Sequence, residues 1–343
     1  MLETAVVLTP VHYCYLIGVF VILGVMVMRK DTPAVCIAFL FLLGFTGLGT
    51  IRGGIQTVFN AILYAGREFM EIIATIALVT ALSKCLSELG SDYLLMRPMS
   101  RIMKTPSLTW WILGLTMLVF SLFLWPSPSV ALVGAIMLPF AVRAGLTPLA
   151  AAMAMNLFGH GIALSYDLVI QGAPAISASA AGISASQILS EGRPVFWVMG
   201  LTTVLSAFFL NRKSMTASSL PLSSRNANET GTSPLSASLA AHSLPAKLLA
   251  AAVPVCFLAD IGIMLAFNLK GGDATSLVSG TAVLLMCAGS VLAFKRDSLE
   301  KITGYLTDGF LFAIRIFAPV IAIGAFFFLG GDGISSIMGD SFS

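Results

Sequence analysis

The chain has 343 residues, of which 57% are hydrophobic and only 10% charged, and its mean hydropathy is +0.95. Soluble domains carry about 25% charged residues, so a soluble enzyme is excluded and an all-α polytopic membrane protein is expected. The formal charge of +3 comes with no basic stripe, which removes nucleic acid from the partners; the Lys and Arg sit in small groups beside apolar blocks.

In chain order, apolar blocks of roughly the length that crosses hydrocarbon as a helix fall at residues 11–28 and 34–50. A glycine-containing amphipathic stretch, 53–66, leads into a block at 69–86. The first block lacks a basic segment before it and has Arg29 and Lys30 after it, the reverse of a secretory signal. After a polar connection come apolar stretches at 108–124 and 130–142, separated by Trp125-Pro126-Ser127-Pro128-Ser129. These form either two full spans or one re-entrant hairpin. A span at 147–164 opens on Thr147-Pro148 and is interrupted by Gly159-His160-Gly161. A small-residue stretch, 172–190, precedes a block at 195–210, and a Ser-rich loop at 211–247 leads to blocks at 248–267, 275–294 and 310–329.

Placing the N-terminus outside puts 14 of the 19 basic residues in inner loops, which fixes the expected orientation in a bacterial cytoplasmic membrane. In that orientation the block at 11–28 runs inward and the block at 248–267 runs outward. The block pattern recurs with an offset of 243, aligning Leu63, Gly66, Phe69 and Ile73 with Leu306, Gly309, Phe312 and Ile316. Inverted repeats of this sort are typical of secondary transporters, with the binding site at the repeat interface. Three segments follow: a first repeat at 1–210, a cytoplasmic loop at 211–247 and a second repeat at 248–343. Position 343 corresponds to Ser100, so the second repeat is expected to be incomplete and the chain a fragment of a longer carrier.

Three constellations bear chemistry. The two prolines of Trp125–Ser129 leave backbone carbonyls before them without donors and start a new helix after them. Carbonyl oxygens suit a cation, while helix-start N–H groups with the hydroxyls of Ser127 and Ser129 suit a carboxylate; a short extracellular turn is the alternative. In Asn156-Leu157-Phe158-Gly159-His160-Gly161, two glycines bracket a histidine where the helix is expected to break, with Asn156 and His160 on one face. An intramembrane histidine marks a functional site by default, although glycines that allow close helix packing explain the same pattern. In Ser165-Tyr166-Asp167, followed by Gln171-Gly172-Ala173-Pro174, Asp167 is either a cation ligand or a carboxylate solvated at the outer interface. Asp260 lies deep in an apolar block and is a candidate coupling residue with Arg315 as one partner. Arg67 and Glu71 are spaced as an i, i+4 pair.

The five cysteines show no CxxC or metal-ligand spacing, and the chain lacks GxxxxGK[ST], HExxH and GxSxG motifs. An ATP-driven motor, a metalloprotease and a serine hydrolase are therefore not expected.

The order of three spans, a polar-tipped hairpin at Trp125–Ser129, a broken span at Asn156–Gly161, a closing span, a loop and then a repeat resembles the ion-transporter superfamily. That superfamily of bacterial carriers has gluconate, citrate, C4-dicarboxylate and Na⁺/H⁺ exchange members. The resemblance implies that hairpin tip and broken helix form the substrate and cation sites, a role it assigns here to Ser127, Ser129, Asn156, Gly159 and His160. The tip departs from the Ser-Asn-Thr signature of the dicarboxylate members. It further implies a small organic anion as substrate, Na⁺ or H⁺ as coupling ion and no bound cofactor, with a cation/proton antiporter, using His160 or Asp167, as the alternative. A homodimer would be one way to complete the site. A membrane scaffold is the reading from another class.

Overall fold

A computed structural model of the chain describes residues 8–100, 102–215, 243–267, 269, 272–331 and 333–339; most of the expected Ser-rich loop at 211–247 lies outside them. Every described regular element is helical. Seven helices or helix runs among the described residues are long and apolar enough to cross a membrane. The chain is an all-α polytopic membrane protein.

The helices start where the covalent chemistry of the sequence says they should. Four Thr-Pro pairs open α1 (Pro10–Val27), α2 (Pro33–Leu48), α6 (Pro106–Leu124) and α8 (Pro148–Asn156). Proline fits the first turn because its missing N–H would be unpaired there anyway. The threonine before it can accept from a first-turn N–H, as Thr105 does from Leu108 and Thr147 from Ala150, both at 3.3 Å. Thr50 caps α3 (Ile51–Glu68) in the same way, accepting from Gly53 at 3.0 Å. α3 and α4 (Met70–Leu89) are separated by a turn at Phe69, so Arg67 and Glu71 stand on two helices rather than one turn apart on a single helix.

The remaining elements are α5 (Ser91–Ser100), α7 (Pro126–Arg143), a π-helix (Leu157–Ala163) and a short α9 (Leu164–Tyr166). They are followed by α10 (Gly172–Ala181), α11 (Ala185–Asn211), α12 (Leu244–Phe267), α13 (Gly272–Phe294), α14 (Ser298–Phe328) and α15 (Gly333–Met338). The chain divides into two compact units that cut across the three segments read from the sequence. The first comprises Met1–Ile73, Ile176–Ile183 and Ala313–Ser343; the second comprises Ala74–Ala175 and Ser184–Phe312.

In the first unit α1 and α2 form an antiparallel hairpin, and α3 packs along α2. Aromatic side chains hold it: Tyr15 stacks on Phe326 at 4.9 Å between ring centroids, and Phe69 lies against Phe317 and Phe328. Asn60 donates to the Ile337 carbonyl at 3.2 Å, tying α15 to α3.

The second unit holds a continuous apolar core centred on α6. Trp110, Leu113 and Met117 are fully buried, packed among Val133 and Met137 of α7, Ala151 and Ala154 of α8, and Phe158 of the π-helix. Trp110 meets Phe158 and Phe208 with centroids 5.5 and 5.4 Å apart. Along one edge α4 is bound to the first half of α14. Lys84 pairs with Asp308 at 2.6 Å, and Glu88 accepts from both Lys301 and Tyr305. The close approach of these helices occurs at Gly309, where a Cβ would overlap the carbonyl oxygen of Ala77. α11, by contrast, exposes Val195, Trp197, Val198, Met199, Leu201 and Phe209, a surface suited to lipid.

Gly309→Ala is therefore expected to destabilise the protein by about 1–3 kcal/mol, because the clash is with backbone that cannot turn away. Gly304→Ala, on the same helix with open space around it, should leave the melting temperature in detergent unchanged. Equal melting of the two variants would mean that α4 and α14 do not cross at Gly309.

Candidate functional site

The hairpin of α6 and α7 turns at a single residue. Trp125 has φ 63° and ψ 146°, a region that residues with a Cβ rarely occupy and that costs of order 1–3 kcal/mol. Its carbonyl accepts from Ser129 N–H at 3.2 Å, the first bond of α7. Residues 126 and 128 are prolines, so the Leu122 and Leu124 carbonyls have no N–H four residues ahead to bond them. Two hydroxyls flank the turn, each four residues from Trp125. Ser121 is 2% exposed and Ser129 0%, and neither hydroxyl has a hydrogen-bond partner among the described residues. The turn is thus flanked by two buried hydroxyls with unused bonding capacity. The side chain of Ser127 lies outside what the structure describes.

The expected break at Gly159-His160-Gly161 takes the form of a π-helix. Seven residues, Leu157–Ala163, bond i→i+5 between α8 and α9, so the helix widens rather than ends. Such insertions are frequent at functional sites. The widening lets this segment lie close to α6: a Cβ on Gly159 would stand 3.2 Å from the Ser121 hydroxyl, and Gly114 of α6 sits under the Phe158 ring. α6 and the π-helix therefore meet at Ser121 and Gly159, one turn before the Trp125–Ser129 tip. His160 is half-buried. Asn156 is exposed and does not join the buried polar groups. On its other side the π-helix borders a groove of about 470 Å³ that it shares with α11, lined by Leu157, Gly161, Ile162, Ser165, Phe196 and Met199 among others.

Asp167 ends this span and is 2% exposed, so it is not a solvated interfacial carboxylate. Its φ of 28° turns the chain back, and its Oδ2 accepts from Ala173 N–H at 3.3 Å, closing the N-terminus of α10. Thr275 of α13 donates to the Ile170 carbonyl at 3.0 Å, fixing the same loop. Asp260 is also buried; its partner is a hydroxyl, Thr281 Oγ1 at 3.0 Å.

Two features were not read from the sequence. Ser121 looks like any small residue in an apolar helix; its spacing from Trp125, matched by that of Ser129, was the available signal. Asp92 is 3% exposed at the start of α5, which packs against α7 and α12. Burial pushes its carboxyl up to about 6, against hydrogen bonds from Tyr93 N–H and the Ser87 hydroxyl. Only its position two residues past Gly90, where α4 ends, could have flagged it.

The uncharacterized membrane protein YhfA of Bacillus subtilis is 40% identical over 346 aligned positions, which cover 99% of this chain and 73% of YhfA. The chain belongs to the YhfA family. No family model and no solved structure matches it. The relative's description as a membrane protein agrees with the helical spans of this YhfA-family chain, a multi-pass membrane protein.

The Asp92 environment makes stability depend on pH. As pH rises from about 4, the unfolded chain releases the Asp92 proton first, while the folded chain holds it up to about 6. Stability present below the unfolded-state value is therefore lost across that window, by an amount of order 1.4 kcal/mol per unit of displacement. Asp92→Asn should flatten this part of the pH–melting profile and melt higher than the parent chain at pH 7. An unchanged profile would show that the carboxyl is not held away from water.

Proposed function

We propose that this YhfA-family chain is a secondary active transporter of a small organic anion, coupled to Na⁺ or H⁺. The observation that carries the reading is the hairpin tip, where prolines remove the N–H groups four residues beyond Leu122 and Leu124, the buried hydroxyls of Ser121 and Ser129 have no partner among the described residues, and Ser121 lies beside Gly159 of the π-helix. An unsatisfied polar group in an apolar interior costs roughly 1–3 kcal/mol or more. Several together in a membrane protein fit a site completed by an ion and its co-substrate. Carbonyls and hydroxyls suit the cation; the first N–H groups of α7 suit a carboxylate.

The repeat supports the same reading. Shifted by 243, α2 falls within α13, and α5 maps to residues 334–343, of which α15 covers 334–338; α3 and α4 map onto the single helix α14. With the N-terminus outside a bacterial cytoplasmic membrane, the two copies run in opposite senses, the arrangement that carriers use for alternating access. Ser127, Asn156, His160 and Asp167 keep supporting roles: Ser127 beside the tip, His160 on the widened turn, Asn156 on its outer face, and Asp167 as the carboxylate that closes the following loop.

Proteoliposomes loaded with the full chain should take up one or more of a panel of labelled mono-, di- and tricarboxylates when a Na⁺ or pH gradient is imposed. Ser129→Ala should lower that uptake at least tenfold without changing the melting temperature. A scaffold would move no acid under either gradient, and an antiporter would dissipate a pH gradient on addition of cation alone.

Orientation is tested separately. In a background with the five native cysteines replaced, Thr50→Cys should react with an impermeant thiol reagent on intact cells, and Asp297→Cys only after permeabilisation. Labelling of Asp297→Cys in intact cells would reverse the topology and undo the inverted repeat.

A further inference from the structure

α12 carries one carboxylate within its apolar run. Asp260 is 4% exposed, its Oδ1 accepts from Thr281 of α13 at 3.0 Å, and its Oδ2 is enclosed without a hydrogen-bond partner among the described residues. One turn earlier on the same helix, Phe257 stacks on Phe123 with centroids 5.2 Å apart and planes 23° apart. Phe123 stands two residues before Trp125. Residues three apart share a helix face and differ by about 4.5 Å along the axis. Asp260 therefore lies about one turn from the contact between α12 and the end of α6, in the neighbourhood of the hairpin tip.

Among the described residues no ion pair reaches Asp260. α6 and α13 carry no Lys, Arg or His, and the only one on α12 is Lys247 in its first turn. On α12 and the elements packed most extensively against it, the other titratable or charged groups are Cys256 on α12 itself, Asp273 and Cys287 on α13, and Asp92, Tyr93 and Arg97 on α5. An ionised carboxylate would need donors on both oxygens and an opposite charge, and a single threonine hydroxyl supplies one donor. A carboxylic acid supplies its own hydrogen on Oδ2 and carries no charge into the apolar span.

We propose that Asp260 is a proton-binding site of this chain, occupied at neutral pH and placed to sense the hairpin tip. When water reaches the carboxyl, the O–H bond on Oδ2 breaks, the electron pair stays on that oxygen and the proton passes to water; reprotonation reverses the step. That this proton serves as the coupling ion rests on the transporter reading above, whereas the site itself does not.

The test is infrared titration of the full chain in liposomes, in potassium buffer and again with about 100 mM Na⁺. The spectrum of the parent chain minus that of Asp260→Asn should show a carboxylic-acid C=O band at pH 7, unaffected by Na⁺; signals from the other carboxyl groups cancel in the difference. Thr281→Val, which removes the hydroxyl donated to Oδ1, should move the band to higher frequency without abolishing it, and reports on the site even where Asp260→Asn fails to fold. Carboxylate bands in place of the acid band at pH 7, loss of the acid band on adding Na⁺, or no shift in Thr281→Val would each overturn the proposal. Proteoliposomes that take up no acid while the band persists would defeat the transporter reading and leave the proton site standing.

Discussion

In hydrocarbon a backbone N–H or carbonyl has no water to turn to, so each must be paired inside the chain or at a site that something else fills. Much of this molecule is arranged around that requirement. Most of the chain meets it with helices whose starts are closed by threonine and proline, as at Thr105-Pro106 and Thr147-Pro148. The exceptions cluster. Pro126 and Pro128 take away two donors where α6 ends, Trp125 accepts an unfavourable backbone geometry to turn the chain, and the neighbouring span shifts to π-helical bonding over Leu157–Ala163. The π-helix and α6 come together at Gly159 and Ser121, one turn before the strained Trp125.

Packing explains why the irregular elements stay in place. α6 is buried along the face that carries Trp110, Leu113 and Met117, packed among α7, α8 and the π-helix, while Leu108, Leu115 and Val119 on its other side are exposed. A helix held that firmly can carry a strained terminus. The ion pairs at Lys84–Asp308 and Glu88–Lys301 are half-exposed and contribute little by themselves. The tight crossing at Gly309 does more to join α4 to α14, since its geometry admits no side chain.

The spans were legible because crossing length is a property of composition, and the Trp125–Ser129 turn was legible because two prolines leave a covalent trace that no tertiary context removes. The widening at Gly159 was visible as an interruption, but not as a π-helix: that choice depends on how closely α6 approaches, which lies in another part of the sequence. Asp167 reads as an interfacial carboxylate from its place at a span end. Its burial comes from the positive φ at Asp167 and Gln171, which folds the loop back onto the start of α10. The Arg67–Glu71 spacing bridges the turn at Phe69, where one helix gives way to the next. Gly66 and Gly309 align across the proposed repeat, yet only Gly309 meets another helix. Residue identity at matching positions does not carry packing with it.

The buried carboxyls show how one residue type serves different ends through its surroundings. Asp167 finds a backbone N–H at a helix start, where the helix dipole and the exposed donors favour an acceptor. Asp92 is held by Tyr93 N–H and the Ser87 hydroxyl at a connection between spans, where burial works against its charge. Asp260 has one hydroxyl and then apolar neighbours such as Phe257, itself stacked on Phe123 beside the hairpin tip. Asp92 has two donors and Asp260 a single hydroxyl, so the means of holding an anion are poorer at Asp260 than at Asp92. A carboxyl with one donor, about a turn from the contact that joins α12 to the end of α6, is a place where access of water near the hairpin tip would shift the balance between acid and carboxylate.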